Sequence, residues 1–340
     1  MPKISVLMPV YNGEKYVKEA IESILNQTCT DFEFIIINDC STDSTKEIIK
    51  SYDDSRIVYV ENEVNSGISD TLNKGILLAK GEYLARMDAD DISLPKRFET
   101  QLEFMDANPD VAVCGSNLIL FEKDKDISNT EHPLDFESIL CNMIFSCSLS
   151  HPSVFIRKEI LIKNNLKYEK EFDRQEDYHL WVRLVRYGRI VNIPEFLLRY
   201  RVHSNQITQN RHEGFSEGHK KIKDVYLKDF LDGFEQSQYE QYCRFCTEDF
   251  EATKDNIIKL GKFFDNLIMQ NKKIRFFEQD KMEHLFGIIF RKALLNSSLN
   301  KNEIKECRRK ALLTHNIKFR LLFLKVSFKY RYNFRMKGLK

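Results

Sequence analysis

The sequence predicts an α/β fold: a mostly parallel sheet with helices on both faces, followed by a helical C-terminal region. Three observations predict it. Over the first 125 residues, short apolar runs alternate with stretches whose apolar residues recur at helical spacing. Some runs, such as Phe32–Asn38, are almost continuously apolar, which marks strands buried on both faces. Beyond His212 the chain becomes charged and helical in pattern, with Phe, Leu and Ile at helix spacing.

Residues 4–11 read as the first strand, and Tyr16, Val17, Ala20, Ile21, Ile24 and Leu25 form the stripe of the first helix. Phe32–Asn38 is the second strand. Ser44 and Glu47 make a capping-box pattern ahead of Ile48, Ile49 and Tyr52. Residues 56–60 are the next strand, 72–79 lie in a helix and 82–87 form a fourth strand. Residues 94–105 read as a helix with Phe98, Leu102 and Met105 on one face, and 111–121 return to strand. Repeated strand–helix–strand units imply parallel neighbours. After residue 130 the pattern loosens: 136–145 helical, 152–156 a short strand, 176–187 a helix, 190–200 strand-like. Composition changes near residue 210, dividing the chain into residues 1–210 and a helical region of residues 211–340.

With 42% hydrophobic and 30% charged residues, the 340-residue chain is ordinary globular material. No apolar run reaches the length of a membrane-spanning helix. The N-terminus runs straight into a strand without a signal-peptide layout, so the expected location is the cytoplasm. Eight scattered cysteines, mostly in apolar surroundings, suit reduced thiols. Cys243 and Cys246 form a lone C-x-x-C without a second pair or a nearby histidine pair, which argues against zinc. The formal charge of +1 hides an asymmetry: residues 305–340 hold twelve Lys/Arg and one acid, a net +11, leaving −10 on residues 1–304.

Chemistry concentrates in Asp88-Ala89-Asp90-Asp91, where the fourth strand runs into a loop. Three carboxylates in four positions repel one another unless a cation neutralises them, and Mg²⁺ or Mn²⁺ prefers carboxylate oxygen. A helix cap would explain one acid but not three. An EF-hand loop is excluded, because Ile92 and Ser93 fall where a ligand and the turn glycine are needed. Three further polar loops follow earlier strands: Pro9-Val10-Tyr11-Asn12-Gly13, Asn38-Asp39-Cys40-Ser41-Thr42-Asp43, and Asn65-Ser66-Gly67 with Asn73 and Gly75 beyond. Ligands of open α/β sheets bind outside the carboxyl ends of the strands, so four such loops point to a nucleotide pocket.

Residues 3–205 resemble the inverting glycosyltransferase family 2. The likeness rests on Val6-Leu7-Met8-Pro9-Val10-Tyr11-Asn12, the Asn38–Asp43 loop, Asn65-Ser66-Gly67 and Met87-Asp88-Ala89-Asp90-Asp91. It continues through Gln175-Glu176-Asp177-Tyr178-His179-Leu180-Trp181 and Tyr200-Arg201-Val202-His203. Asn38 stands where many members have Asp, and Cys40 where many have Gly. The resemblance implies a GT-A fold, Rossmann-like, with residues 1–210 as the nucleotide-sugar-binding and catalytic domain.

It also implies roles. Asp39 resembles the carboxylate that accepts from the uracil ring N–H, and Pro9 and Tyr11 match positions holding base and ribose. Asn65, Gly67 and Asn73 fall near the nucleotide. Asp88 and Ala89 open the D-x-D motif, Asp88 near ribose and metal shell, and Asp90 resembles the acid that binds Mn²⁺ or Mg²⁺. Asp91 lies behind the metal or towards the sugar. Arg86 reads either as a phosphate contact or as a strand-end charge. Asp177 matches the base that takes the acceptor hydroxyl's proton, with Glu176 positioning it or touching the sugar. His203 matches a histidine that closes over the diphosphate or metal in some members. His151-Pro152-Ser153 and Arg157 recur in a bacterial subgroup, where they border the acceptor.

The expected function is therefore a metal-dependent inverting glycosyltransferase using a UDP-sugar. Its acceptor would be a glycan or lipid-linked oligosaccharide of a surface polysaccharide such as lipopolysaccharide or capsule. Two rivals stand: a sugar-nucleotide nucleotidyltransferase, disfavoured by the single glycine and the acid Glu14 after the first strand, and a non-catalytic nucleotide-sugar-binding module. In the tail, Phe319, Leu322, Phe323, Val326, Phe328, Tyr330 and Phe334 interleave with basic residues. This suits peripheral contact with the anionic inner face of the plasma membrane rather than nucleic acid.

Overall fold

The computed structural model of the chain describes residues 1–123, 125–203, 215–247 and 249–311, so the tail beyond residue 311 lies outside the described residues. Two compact units divide the chain: Met1–Ile139 with Cys147–Thr208, and Leu140–Ser146 with Gln209–Lys340.

In the first unit, β1 (Ile4–Val10), α1 (Val17–Leu25), β2 (Phe32–Asn38), α2 (Thr45–Lys50), β3 (Ile57–Glu61), α3 (Ile68–Leu78) and β4 (Tyr83–Arg86) follow in turn. β5 (Ile92–Ser93), α4 (Arg97–Ala107), β6 (Val111–Glu122) and β7 (Lys125–Thr130) come next. Then follow α5 (Phe136–Asn142), whose residues from Leu140 on fall in the second unit, β8 (Phe155–Arg157), α6 (Lys158–Lys163), α7 (Glu176–Leu184) and β9 (Arg189–Arg201). Among the described residues the strands form one sheet in the order β3-β2-β1-β4-β8-β6-β9-β5, with β7 on β6. β3, β2, β1 and β4 are mutually parallel. Beyond β4 the sheet is mixed: β8 is antiparallel to β4 and β6, β6 is parallel to β9, and β5 is antiparallel to β9.

β2 is buried along its whole length, and its inward residues Phe34 and Ile36 join Val6, Met8, Ile21, Ile24 and Phe98 in the core. Gly81 is required where the chain enters β4, since a Cβ there would lie 2.6 Å from the Ser5 backbone nitrogen. The expected capping box at Ser44 does not form: Glu14 takes the Ser44 N–H that Glu47 would have accepted, and the Ser44 side chain makes no cap hydrogen bond. The helix expected from residue 94 starts at Arg97, because Ile92 and Ser93 pair with Arg199 and Leu198 of β9 instead.

The second unit is helical: α8 (Phe215–Tyr226), α9 (Gln236–Cys246), α10 (Lys254–Ile274), α11 (Gln279–Leu295) and α12 (Lys301–Lys310). Side chains cap α10, α11 and α12, through Thr253, Glu278 and the Asn300–Glu303 capping box. Aromatic stacking fills its interior, with Tyr242 on Phe263 at 4.3 Å and Phe264 on Phe286 at 4.5 Å between ring centroids. Cys243 and Cys246 are free thiols here, and all eight cysteines are unbridged.

Candidate active site

The strand order reverses between β1 and β4, which opens a crevice at their carboxyl ends, where α/β sheets bind ligands. The loop after β1 is tied to the loop after β2: Asn12 N–H donates to Ser41 Oγ at 2.9 Å, and Asn12 Oδ1 accepts from Thr42 N–H at 2.9 Å. Pro9 is half-buried opposite Ile37, and Tyr11 is half exposed at the crevice. Cys40, at the position where the resemblance expects glycine, adopts φ +62°, the left-handed geometry that glycine favours.

Asp39, directly after β2, is buried and already well bonded. Its Oδ1 accepts from Asn62 Nδ2 at 2.7 Å and Ser66 N–H at 2.9 Å, and its Oδ2 from Gly67 N–H at 2.9 Å. A carboxylate offers about four acceptor positions, so one remains for a ligand donor. Gly67, at φ +85°, turns the chain into α3 so that its N–H meets this carboxylate. Asn65 is exposed on the same loop. Asn73 differs from expectation: both ends of its amide grip the Tyr168 backbone, at 2.8 and 3.0 Å, rather than facing open space.

Asp88, Asp90 and Asp91 bring ligand-capable oxygens within 4.8 Å of one another. Asp88 forms an ion pair with Arg86, and Asp90 Oδ2 lies 2.9 Å from His203 Nε2. Asp91 is fully buried; its Oδ1 accepts from Arg201 N–H at 2.9 Å, whereas Oδ2 is buried without a partner. Burial pushes the Asp88 carboxyl up against the opposing pull of Arg86, with Asp90 adding to the rise. Burial together with Asp90 and Asp88 holds Asp91 well above the usual range. Ala89 packs against the core and fixes the loop. The pairing of β5 with β9 swings the end of β9 over these acids. There Arg201 donates from Nε to the Asp90 carbonyl at 2.7 Å and from Nη2 to Glu19 at 2.8 Å, its guanidinium over the Tyr16 and Phe121 rings. Clustered hard oxygens, one of them orphaned, with the Asp88 and Asp91 carboxyls raised first by burial and then by neighbouring carboxylates, fit a divalent Mg²⁺- or Mn²⁺-type ion.

Glu176 and Asp177 form the first turn of α7, where the helix dipole favours acids. Asp177 Oδ1 accepts from Tyr178 N–H at 2.6 Å and its Oδ2 from the Cys147 thiol at 3.8 Å. Burial raises the Asp177 carboxyl; the Tyr178 N–H and Arg86 oppose the rise. Glu176 is pushed up to about 8, first by burial and then by Asp177. Leu180 and Trp181 face fully inward, as expected.

Arg86 links the two clusters. Only 4% exposed, it ends β4 against Asp88, and its charge also acts on Asp91, Glu176, Asp177, His151 and Tyr168. Arg97 holds the carbonyl of Arg86 at 2.7 Å from below, burial pulling its own guanidinium down to about 9. His151 lies in this region, but Arg157 does not. Its guanidinium meets Tyr83 Oη and the Met105 carbonyl, each at 3.1 Å, at the amino end of β4. The register that pairs Tyr83 with Arg157 puts it at the wrong end of the strand to border the acids. A cavity of about 490 Å³ at that same end, lined by Lys3, Asp31, Glu82 and Lys158, holds none of this chemistry. Sequence reasoning gave no role to Arg201, Cys147, Tyr168 or Arg97; the only signal was Arg201's place in the stretch before His203.

A GT-A sheet with an acid cluster after β4 and an acidic pair heading α7 defines a glycosyltransferase. The model described as Glycosyl transferase family 2 matches residues 5–174, and the chain belongs to that family. An uncharacterized glycosyltransferase of Methanocaldococcus jannaschii is 39% identical over 208 residues, 59% of this chain and 71% of that protein. The O-antigen biosynthesis glycosyltransferase WbnJ of Escherichia coli is 35% identical over 215 residues, 61% of this chain and 82% of WbnJ. Residues 1–349 of S. aureus TarS, solved with UDP-GlcNAc, share the fold at a TM-score of 0.60 and 20% identity, over 92% of this chain and 91% of that one. No helix among the described residues is long and apolar enough to cross a membrane.

Proposed function

We propose that the chain transfers a sugar from a UDP-sugar to a hydroxyl of a glycan or lipid-linked oligosaccharide. Transfer inverts the anomeric carbon and uses Mn²⁺ or Mg²⁺ held by Asp90 and Asp88. The observation that carries this reading is that the acid cluster and the Glu176–Asp177 pair both lie in the field of one buried cation, Arg86. When bound, the divalent ion offsets the charge that grows on the departing diphosphate.

Asp39 uses its remaining lone pair to accept the uracil ring N–H, with Pro9 and Tyr11 beside base and ribose and Asn65 on the same loop. Asn73 acts indirectly, through Tyr168. His203 closes over the acid cluster from the end of β9. Glu176, raised to about 8, keeps its proton at neutral pH, which lowers like-charge repulsion and leaves Asp177 the ionised member of the pair. Asp177 then takes the acceptor hydroxyl's proton as that oxygen bonds to the anomeric carbon. The bond from that carbon to the diphosphate breaks, and UDP leaves with the electron pair. A single displacement on the face opposite the leaving group inverts configuration.

The UDP and UDP-GlcNAc complexes of TarS support the donor class, and the O-antigen role in the name of WbnJ supports a surface-polysaccharide product. The basic tail, on an otherwise acidic chain, suits contact with an anionic membrane carrying the acceptor. Release of UDP from a panel of UDP-sugars, with Mn²⁺, Mg²⁺ or EDTA and with Asp177→Asn as control, tests the reading. Proton NMR of the product reads the anomeric configuration. Pyrophosphate release would favour a nucleotidyltransferase instead, and tight binding without turnover a binding module.

A further inference from the structure

Behind Glu176 runs a line of buried polar groups that the transfer chemistry does not use. Asn73 of α3 grips the Tyr168 backbone from both ends of its amide. Tyr168 sets its hydroxyl 2.9 Å from His151 Nε2, and the other ring nitrogen, Nδ1, faces Glu176 Oε1 at 3.9 Å. Trp181 packs near-perpendicular to the imidazole, at 6.3 Å between centroids. Tyr168, His151, Glu176 and Trp181 are all nine-tenths buried or more.

We infer that His151 and Tyr168 are positioning residues: they hold the Glu176 carboxyl beside Asp177, so that Asp177 is the one that takes the acceptor's proton. The inference rests on the glycosyl-transfer reading. Burial and the neighbouring Arg86 keep the His151 ring neutral, so it carries one N–H and one lone pair. Burial keeps the Tyr168 phenol protonated, able to donate or accept. When Nε2–H donates to Tyr168 Oη, Nδ1 presents its lone pair to a protonated Glu176. When the phenol donates to Nε2, Nδ1–H faces a carboxylate. A change of tautomer thus matches either state of Glu176 without placing charge on the ring.

The charged and titratable groups acting on Glu176 are Asp177 on its own helix, Asp173 from the preceding turn, Arg86 from β4, and the His151–Tyr168 pair. Arg86 favours the carboxylate; burial and the two aspartates favour the acid and prevail, so the tautomer that turns the Nδ1 lone pair towards Glu176 is the one that suits it. Gly67, the N-cap residue of α3, gives its N–H to Asp39, so the grip on Tyr168 is built on the helix whose start holds the proposed nucleotide-reading carboxylate.

The test has two arms on the full-length protein. In the first, ¹⁵N-histidine NMR, with His151→Ala for assignment, follows the ring from pH 5.5 to 8 without substrate. A ring that stays neutral, with one tautomer whose ¹⁵N shifts move in Glu176→Gln and in Tyr168→Phe, is expected. A ring titrating near its ordinary value, or indifferent to both variants, overturns the inference whatever the enzyme does. In the second, UDP release is measured with a UDP-sugar that the wild type turns over. His151→Ala is expected to lower kcat about 10- to 100-fold, as misplacement of a catalytic group does, with donor KM within about threefold. Without the neutral ring packed against it, the Glu176 carboxyl is less buried and ionises more readily, Asp177 becomes harder to ionise, and the acid limb of the kcat profile moves to higher pH. His151→Asn, which keeps a polar group there, should restore part of the rate. A loss of kcat with an unmoved limb and no recovery overturns the inference. A wild type that turns over no donor sinks the transfer reading instead, leaving the first arm to judge the histidine.

Discussion

Replacing Glu176 by Gln removes a carboxyl that the fold keeps protonated, and the consequence for stability follows from linkage. The group ionises near 4.5 when exposed and near 8 in the folded chain, where burial and Asp177 oppose its charge. Between those values the folded state binds the proton and the unfolded state releases it, so the wild type loses stability as pH rises. Each unit of difference is worth about 1.4 kcal/mol, which makes the loss roughly 3 kcal/mol by pH 7 and roughly 5 kcal/mol above pH 8. Gln has nearly the same shape and does not titrate, so Glu176→Gln escapes that loss. Urea unfolding of both proteins at intervals from pH 4.5 to 8.5, with EDTA present, reads the difference directly. The variant should gain on the wild type across this window, with the steepest change between pH 5 and pH 8. A gap that stays constant with pH would mean that Glu176 ionises normally, and the assignment of Asp177 as the charged base would lose its electrostatic reason.

Four further outcomes are expected. Asp90→Ala should weaken Mn²⁺ binding by calorimetry and lower UDP release about 100-fold or more, the scale of a lost charge-stabilising group; unchanged Mn²⁺ affinity would put the ion elsewhere. Asp39→Asn sets an amide NH₂ against the Ser66 or Gly67 N–H, so it should cost about 1–3 kcal/mol in urea unfolding for a buried donor left unpaired, and weaken UDP binding by calorimetry. Cys147→Ala removes a thiol donor that favours ionised Asp177, so the acid limb of kcat should move to higher pH, whereas Cys147→Ser should leave it in place. A chain ending at residue 311, which keeps α12 whole, should no longer float with anionic liposomes that carry the full-length protein, and equal flotation would remove the membrane proposal.

Much of the first unit was legible because its strands carry their own signal. Phe32–Asn38 is apolar from end to end, and a run of that kind flanked by helical stripes has few other solutions. What escaped was set by partners distant in sequence. β5 is two residues long and exists because β9 passes beside it; no periodicity marks so short a strand. The direction of β8 and β6 is likewise tertiary, which is why the sheet is mixed beyond β4 where local pattern suggested mostly parallel neighbours. Ser44 and Glu47 had the chemistry of a capping box, but Glu14, 30 residues earlier, takes the Ser44 N–H that Glu47 would have accepted.

In the site, the carboxylates were legible and their surroundings were not. Acids at a strand end or a helix start draw attention because they are costly there, whereas Asn73 and Tyr168, 95 residues apart, announce nothing until the fold joins them. Arg86 shows best what the third dimension adds. Read along the chain, it is equally a phosphate contact or a strand-end charge; buried, its charge acts on Asp88, Asp91, Glu176 and Asp177 alike. One guanidinium cannot balance four acids. The excess negative charge has two remedies, protonation of some carboxyls or a second cation, and the site divides them by position. On the α7 side the neighbours are a neutral histidine and a phenol, so the excess is relieved by a proton kept on Glu176. On the β4 side three carboxylates converge with one oxygen orphaned, and under the proposed transfer reading a divalent ion held there would offset that charge.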